Sequence, residues 1–522
     1  MGKTYRNKRY IYDPLYGVIY LPDFIWDIIP SPELQRLREV RLCNINSFCL
    51  IGGANINRYE HAIGTCYLAH ECLRSWPPLN PIDEKEQKLF LLAALLHDVP
   101  SAAFGHSVEY VESKIGFKHE AFKYAISGEE EASYLYKSAT LEPIFFGMYR
   151  ELLSKISSED LNEIDKIIKG EGRFGHLINS TMDLDNIDNV FRLGYHIGIV
   201  NSGEVPLKLA RSLYTKNNKL IVRKEATPLI EKWHGVRKKL YSLLLLNLEE
   251  FSAKCMLTEA MELAKKKKIH PFNWYDVDYE LLEKLFKIPS VRVPIKEHLF
   301  SLDIKFEDVL NKSTITEELE TLFRSHGIDI TPSATIEIKE DGWRIRSKAK
   351  EYFIKVKSGK LVVYKIGIRG IEISEIISRL MKGDLYGCIG IFSTAKTEKY
   401  GIFIDTNKRS ELEDEITQII RSKCAPRFKS VMVAVHSIID VNKTERQVCI
   451  QTDDGRVVKI GKSSNRLLVG VFFRNRDLSV YKMKNISNGN KIWQEVYIYL
   501  ANTLEDSNLQ EIKLYGEIDG CK

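Results

Sequence analysis

Long apolar segments are missing from this 522-residue sequence. The longest, Leu89–Leu96, spans about eight residues, whereas a membrane-spanning helix needs roughly 20, so we expect no membrane association. The first residues, MGKTYRNKRY, are polar and lack the apolar stretch of a secretory signal. Both absences predict a cytoplasmic protein.

Paired cysteines are also missing. The nine cysteines are odd in number and include no C-x-x-C motif, which argues against a disulfide framework and against a cysteine-ligated zinc site. We therefore expect reduced thiols, as in other cytoplasmic proteins.

The sequence has no large excess of one charge sign. Lysine and arginine number 76 against 70 aspartates and glutamates, which leaves a net charge of +6. A charge this dilute does not indicate a nucleic-acid partner, although a local basic patch could still hold phosphates. Hydrophobic residues at 44% and charged residues at 28% are typical of globular proteins and exclude extensive disorder. The length predicts two or three domains.

The spacing of apolar residues indicates a helical first part. Apolar residues recur three and four positions apart, which predicts helices over Ser31–Arg41, Gly64–Arg74, Glu84–His97, Ser158–Lys169, Glu231–Lys266 and Tyr279–Phe286. We therefore predict a mainly α N-terminal domain over residues 1–320.

After about residue 330 the apolar period shortens to two. Alternating segments flank Asp341-Gly342, Ser358-Gly359 and Asp454-Gly455, and each arrangement predicts a β-hairpin. We predict an α+β C-terminal portion in two parts. The first, residues 321–425, would be regulatory or mediate oligomerisation, and the second, residues 426–522, would be β-rich and end in a helix.

The residues most suggestive of chemistry are histidines and aspartates in the helical part. His97 and Asp98 are adjacent and end an otherwise apolar helix. His61 lies at the start of another helix, and Asp185 lies in an acidic segment further along the chain. A carboxylate buried in such a place costs several kcal/mol unless a metal or another cation compensates it. Imidazoles and carboxylates together suit a first-row transition metal. A metal site and a set of satisfied core residues both fit this pattern.

In order, these residues resemble the H…HD…D pattern of the HD-domain metal-dependent phosphohydrolases. Four segments also resemble the deoxynucleoside triphosphate triphosphohydrolase branch, which includes bacterial dGTPases and the vertebrate SAM-and-HD-domain dNTPase: YDPLYGVIYL (Tyr12–Leu21), PELQRLREV (Pro32–Val40), GANINRYEH (Gly53–His61) and DLDNIDNVFR (Asp183–Arg192). The resemblance covers roughly the first 260 residues. It implies a helical HD-domain fold for the N-terminal domain.

The resemblance also implies roles for individual residues. It implies that four residues are the ligands of a Mn, Fe or Zn ion: His61, His97, Asp98 and Asp185. A Mg ion would accompany the nucleotide. His119 would be the general acid, paired with Glu109, and three residues would contact phosphate: Arg58, His106 and Arg237. Arg9, Gln35 and Arg38 resemble the site of an activating nucleotide.

The activity implied is hydrolysis of a (deoxy)nucleoside triphosphate to nucleoside and triphosphate, for nucleotide-pool control or antiviral dNTP depletion. A homo-oligomer, dimeric or larger, is implied as well. Several positions depart from the family pattern: Ser101 replaces a histidine, Leu193 replaces an aspartate associated with the sugar 3′-hydroxyl, and Asn186 and Asn189 replace a lysine and a tyrosine that meet the phosphates. Two alternatives therefore stay open. One is an HD phosphohydrolase acting on another nucleotide or a nucleic-acid end, and the other is a nucleotide-sensing module.

Overall fold

The computed structural model describes residues 9–43, 55–105, 111, 151–269, 275–302, 317–328, 330, 334–339, 342–347, 350–357, 360–423, 428, 430–478 and 489–512. Within these ranges, none of the helices combines the length and the apolar character that crossing a membrane requires. The cysteines in these ranges are free thiols: Cys43, Cys66, Cys72, Cys255, Cys388 and Cys449.

The part of the chain before residue 290 is mainly helical. Its helices are α1 (Asp23–Ile28), α2 (Pro32–Gln35), α3 (Arg58–Arg74), α4 (Glu84–Leu96), α5 (Glu151–Lys155), α6 (Ser158–Ile168), α7 (Gly175–Ile178), α8 (Leu184–His196), α9 (Glu204–Ala210), α10 (Thr227–Leu245), α11 (Leu248–Lys266) and α12 (Asp278–Phe286). A 3-10 turn at Arg36–Glu39 extends α2. Two short antiparallel pairs accompany them, β1 (Ile11–Asp13) with β2 (Gly17–Ile19) and β3 (Leu213–Lys216) with β4 (Lys219–Val222).

Side-chain caps explain where the site-bearing helices begin. Asn57 accepts a hydrogen bond from the backbone N–H of Glu60 at the start of α3, and Asp83 and Glu86 form a capping box at the start of α4. Asp183 caps α8 through the N–H of Asn186. The single helix predicted over Glu231–Lys266 is wrong, because Asn247 caps a new helix and divides the segment into α10 and α11.

The C-terminal portion mixes strands and helices. Its strands are β5 (Val291–Leu302), β6 (Thr335–Lys339), β7 (Gly342–Ser347), β8 (Lys350–Lys357), β9 (Lys360–Ile371), β10 (Gly387–Thr394), β11 (Val433–Val441), β12 (Val448–Thr452), β13 (Val457–Ile460), β14 (Asn465–Phe473) and β15 (Gln510–Glu511). Its helices are α13 (Glu317–Ser325), α14 (Ile373–Met381), α15 (Tyr400–Ile404), α16 (Thr406–Lys423) and α17 (Gly489–Leu504). The mainly α N-terminal domain with an α+β C-terminal portion is thus confirmed.

The predicted hairpins are the antiparallel pairs β6–β7, β8–β9 and β12–β13. Three sheets with the orders β5-β9-β8-β7-β6, β11-β14-β10-β15 and β13-β12-β4-β3 complete the architecture. β5 pairs along its length with β9, so residues before the predicted boundary at 320 belong to a C-terminal sheet. The proposed domain limits remain predictions.

One sheet joins the two portions of the chain. β12 runs parallel to β4, with Gln451 opposite Ile221 and Thr452 opposite Val222. The largest apolar core likewise extends from α3, α4 and α8 to α14 and β14. The hairpin of β12 and β13 therefore packs directly on the helical domain.

Candidate metal centre

His61 lies in the first turn of α3 and its side chain is almost fully buried, at 1% exposure. Its Nδ1 atom lies 2.7 Å from Oδ2 of Asp188 and its Nε2 atom lies 2.9 Å from Oδ1 of Asp185. The imidazole thus bridges two carboxylates of α8, one on each ring nitrogen.

His97 and Asp98 follow the last residue of α4 and are also buried. Nδ1 of His97 lies 2.9 Å from the carbonyl oxygen of Ala94, which fixes the ring and directs Nε2 towards His61. Oδ1 of Asp98 accepts hydrogen bonds from Nη1 of Arg58 at 2.6 Å and from the Ser101 hydroxyl at 2.9 Å. Oδ2 of Asp98 is buried without a hydrogen-bond partner.

The four side chains converge on one point. Nε2 of His61 and Nε2 of His97 are 3.3 Å apart, and Oδ2 of Asp98 is 3.9 Å from each of them. Oδ1 of Asp185 completes the group, 3.7 Å from Nε2 of His97. One ligand atom from each of His61, His97 and Asp185 lies within 4.8 Å of the others.

This donor set fits a divalent metal. The Nδ1 atoms of both histidines already face acceptors, Asp188 and the Ala94 carbonyl, as metal-ligating histidines usually do. Two Nε2 atoms, the unpartnered Oδ2 of Asp98 and Oδ1 of Asp185 then face one another, which leaves a mixed nitrogen and oxygen set suited to Mn, Fe or Zn. Asp185 has 32% of its side chain exposed, so the open side of the group lies there.

A buried ionic network supports His61 from behind. Arg192 donates from Nε to Oδ2 of Asp188 at 2.8 Å, and from Nη1 to Asp13 at 2.8 Å and to Glu60 at 2.7 Å. The Tyr16 hydroxyl donates to Oδ1 of Asp188 at 2.7 Å. Arg192 and Asp188 are fully buried, so the carboxylate that orients His61 is itself fixed.

The electrostatics follow from this packing. Burial opposes ionisation of Asp185, but its hydrogen bonds to His61 and His97 hold its pKa well below its usual range. Burial also lowers the pKa of His61, but the hydrogen bonds to Asp185 and Asp188 outweigh it and raise the pKa to about 10. Burial raises the pKa of Asp98, and the Arg58 guanidinium outweighs it and keeps that carboxyl ionised. The carboxylates that raise the pKa of His61 would equally stabilise a divalent cation held by this group.

The other predicted residues are placed in different surroundings. Arg58 contacts the metal-site carboxylate of Asp98, as described above. Arg237 is 2% exposed, stacks 4.0 Å from the Tyr241 ring, and donates from Nη1 to the carbonyl of Lys443. His106, Glu109 and His119 lie outside the described residues.

Two residues of the predicted activating site lie in α2 and the 3-10 turn that follows it, and the third lies against α1. Nε of Arg38 donates to Oε1 of Gln35 at 2.7 Å, and the Arg38 guanidinium lies 3.9 Å from the centre of the Tyr59 ring. The guanidinium of Arg9 lies 5.3 Å from the Trp26 ring. Gln35 and Arg38 are thus brought together, and the role of these three residues remains a prediction.

Three residues around His61 carried no predicted role: Asp188, Arg192 and Gly64. The sequence spacing could have indicated Asp188 and Arg192, because Asp188 lies one helical turn after Asp185 and Arg192 one turn further, which places all three on one face of α8. Gly64 lies one turn after His61. A Cβ atom on Gly64 would lie 2.0 Å from Nη2 of Arg192 and 2.2 Å from Oδ1 of Asp188, so only glycine leaves room for this ion pair.

Comparison with known families gives the domain a name. Residues 58–168 match the family model described as "HD domain", a range that contains His61, His97 and Asp98. The chain contains an HD domain. The predicted HD domain is confirmed, and the geometry above shows Asp185, beyond the matched range, completing its histidine and aspartate group.

Curated relatives of the HD-domain chain include an uncharacterized protein, YwfO, of Bacillus subtilis, 24% identical over 271 residues, or 51% of this chain and 58% of the relative. Another is named the deoxynucleoside triphosphate triphosphohydrolase SAMHD1 homolog of Dictyostelium discoideum, 25% identical over 209 residues, or 37% of each chain. Each match covers less than two thirds of the relative's length. The predicted resemblance to this triphosphohydrolase family is confirmed at the level of sequence similarity.

A solved structure supports the same fold. A phosphohydrolase from Bacteroides thetaiotaomicron superposes with a TM-score of 0.50 at 16% sequence identity, covering 90% of this chain and 100% of that chain. The superposition covers both portions of the chain, so the C-terminal portion shares its fold with this structure, as the HD domain does.

Proposed function

We propose that the protein is a metal-dependent phosphohydrolase that cleaves deoxynucleoside triphosphates into deoxynucleoside and inorganic triphosphate. The observation that carries the proposal is the convergence of Nε2 of His61, Nε2 of His97, Oδ2 of Asp98 and Oδ1 of Asp185, with Oδ2 of Asp98 buried and unpartnered. The Dictyostelium relative, which is named a deoxynucleoside triphosphate triphosphohydrolase homolog, supports the choice of substrate class.

The chain's own residues would hold and orient the reacting groups. A divalent metal supplies Lewis-acid polarisation of a phosphoryl oxygen and a water of lowered pKa when it is bound. Asp98 stays ionised because Arg58 donates to it at 2.6 Å, and Asp188 fixes the tautomer and the plane of His61. Arg58 thereby lies at the edge of the metal centre, where a guanidinium can contact a substrate phosphate.

The leaving group requires a proton. The resemblance assigns this step to His119, oriented by Glu109, with His106 contacting phosphate. His119→Ala should keep its metal and lose roughly 10² to 10⁴ in rate, the usual contribution of a general acid. If the variant also loses its metal, His119 is a ligand and the proposed acid is wrong.

A substrate screen tests the proposal. Each dNTP and rNTP is incubated with the purified protein and Mn²⁺ or Mg²⁺, singly and in pairs, and products are separated by ion-exchange chromatography. We expect deoxynucleoside and inorganic triphosphate in equal amounts. A preparation of the His97→Ala, Asp98→Ala double variant, treated identically, controls for contaminating phosphatases.

Other products would select an alternative. Release of phosphate or pyrophosphate, or cleavage of only another nucleotide or a nucleic-acid end, would contradict the triphosphohydrolase proposal and retain an HD phosphohydrolase. Nucleotide binding without turnover in a metal-loaded protein would indicate the nucleotide-sensing module instead.

We also propose a homo-oligomer of two or more chains that binds an activating nucleotide at Arg9, Gln35 and Arg38. The hairpin of β1 and β2 beside Arg9 exposes a row of apolar side chains: Tyr10 at 62%, Tyr12 at 75%, Val18 at 45% and Tyr20 at 50%. Contiguous exposed apolar surface is typical of protein interfaces. Native mass spectrometry with and without dNTPs tests assembly, and a monomer under every condition would contradict it.

A further inference from the structure

A turn of the C-terminal portion lies against the first turn of α8. Arg446, between β11 and β12, donates from Nη1 to the carbonyl oxygen of Thr181 at 3.0 Å and to Oδ1 of Asn186 at 3.3 Å. Asn186 directly follows Asp185, which faces the metal centre. A guanidinium from residue 446 therefore contacts the residue that follows Asp185, 260 positions earlier in the chain.

The turn that carries Arg446 is held rigidly from within. Oδ1 of Asp440 accepts hydrogen bonds from the backbone N–H groups of Lys443 at 3.1 Å and Thr444 at 3.0 Å. Nε of Arg466 donates to Oδ2 of Asp440 at 2.8 Å. The position of Arg446 is thus fixed by a closed network rather than by its own side chain alone.

Helix α10 holds the same turn from the other side. Arg237 donates from Nη1 to the carbonyl of Lys443 and from Nη2 to the carbonyl of Asn442 at 3.4 Å. Nε2 of His234 lies 2.8 Å from the carbonyl oxygen of Arg446. Because both of its Nη atoms donate hydrogen bonds to backbone carbonyls of the turn, Arg237 acts here as a positioning residue for the segment that carries Arg446.

Two guanidiniums, those of Arg237 and Arg446, lie on this side of the centre. Burial lowers the pKa of Arg237 to about 10, and the nearby charge of Arg446 acts in the same direction. Among the described residues, no carboxylate lies within 4 Å of the Arg446 guanidinium, whose contacts in those ranges are carbonyl and amide oxygens. Its direct partners are therefore neutral acceptors, and a planar guanidinium fork fits phosphate oxygens.

We propose that Arg446 binds the phosphate chain of the nucleotide substrate, so that the C-terminal portion completes the active site of the HD domain. The inference rests on the proposed function, since it assigns a residue to that same site. The ligand class is a polyphosphate whose first phosphate lies at the metal centre and whose further phosphates extend towards residue 446.

The test compares Arg446→Gln with the wild-type, full-length, metal-loaded protein. Glutamine keeps a polar hydrogen-bonding side chain at this position but removes the charge. We expect KM for the dNTP, and the inhibition constant of inorganic tripolyphosphate, to rise about 10-fold to 100-fold, the usual effect of a lost charged hydrogen bond. Arg446→Lys should recover part of this loss because the charge returns. Metal content and melting temperature should stay at wild-type values.

A matched control is available on the neighbouring hairpin of β12 and β13. Arg456 lies at the turn between β12 and β13, is exposed, and pairs with Asp454 at 2.9 Å. Arg456→Gln removes an arginine charge from the same segment without touching the site, so its KM and tripolyphosphate inhibition should match the wild type.

Direct binding separates this inference from the proposed function. Isothermal titration of tripolyphosphate into the metal-loaded proteins needs no turnover. If the wild type cleaves no nucleotide but binds tripolyphosphate more tightly than Arg446→Gln, the proposed reaction fails and the phosphate role of Arg446 stands. If the wild type does not bind tripolyphosphate, or if Arg446→Gln equals it in affinity and KM, the role of Arg446 is wrong.

Discussion

Nδ1 of His61 lies 2.7 Å from Oδ2 of Asp188, and both groups are almost fully buried. The histidine of the candidate metal centre is therefore oriented by a carboxylate on the opposite side of its ring. Such partners fix the ring plane and raise the basicity of the opposite nitrogen, and losing them typically costs 10-fold to 100-fold in metal affinity.

Asp188→Asn should therefore weaken metal binding about 10-fold to 100-fold, with His61 still present. The substitution also leaves Arg192 short of a buried counter-charge, so the melting temperature should fall as well. Titration calorimetry with Mn²⁺ measures the first effect and differential scanning calorimetry the second. Asp27→Asn, on the exposed end of α1, is the control and should change neither value. Unchanged metal affinity in Asp188→Asn would show that Asp188 does not support the site.

Replacement of both His97 and Asp98 by alanine should remove bound metal and turnover together. The fold should persist, because the helices are held by an apolar core that these residues do not supply. Metal per chain is measured by inductively coupled plasma mass spectrometry and helix content by circular dichroism. His176→Ala removes an exposed histidine and should keep full metal content. A double variant that retains more than about a tenth of the rate would contradict metal-assisted hydrolysis at this site.

Gly64→Ala should destabilise the protein and disturb His61. The added methyl group would lie 2.0 Å from Nη2 of Arg192, so the buried ion pair with Asp188 must move. Gly235→Ala is the matched control, since no atom of the described residues outside its own helix turn lies within 4 Å of its Cβ position, and alanine is the better helix former by about 1 kcal/mol. We expect a lower melting temperature and weaker Mn²⁺ binding for the first variant, and an equal or higher melting temperature for the second. Equal melting temperatures for the two would refute the packing argument.

Glu33 gives a prediction for stability against pH. Burial raises the pKa of its carboxyl to about 7, although its Oε1 accepts a hydrogen bond from the N–H of Leu152 at 3.1 Å. The folded pKa exceeds the unfolded value of 4.5, so the folded state binds more protons and stability falls as pH rises from about 4.5 to about 7. Glu33→Gln removes the charge and should stabilise the protein at pH 8 by up to about 3 kcal/mol, with little effect at pH 4.5.

Urea unfolding of Glu33→Gln and of the wild type at several pH values measures this difference. Glu39→Gln, an exposed position in the neighbouring 3-10 turn, should stay within about 0.5 kcal/mol of the wild type at every pH. A stability difference between Glu33→Gln and the wild type that does not grow with pH would show that Glu33 is not titrating as described.

The sequence by itself determined the local elements and the first members of the site. Apolar residues spaced by three and four predicted the helices that bear His61 and His97, and turn dipeptides such as Asp454-Gly455 predicted the hairpins, because both signals depend on residues close together in the chain. The order of histidines and aspartates likewise pointed to the HD domain before any geometry was known.

The tertiary structure alone decided what surrounds those residues. The contact of Asp188 with Arg192 follows from their spacing on α8, but no local pattern predicts that Asp13 and Glu60 also reach Arg192, because these contacts join residues 179 and 132 positions apart. Nor does a local pattern predict that Arg237 donates to the backbone carbonyls of Asn442 and Lys443. These hydrogen bonds depend on the parallel pairing of β12 with β4. Spacing along the chain determines which face of a helix a residue occupies, and only packing determines what that face meets.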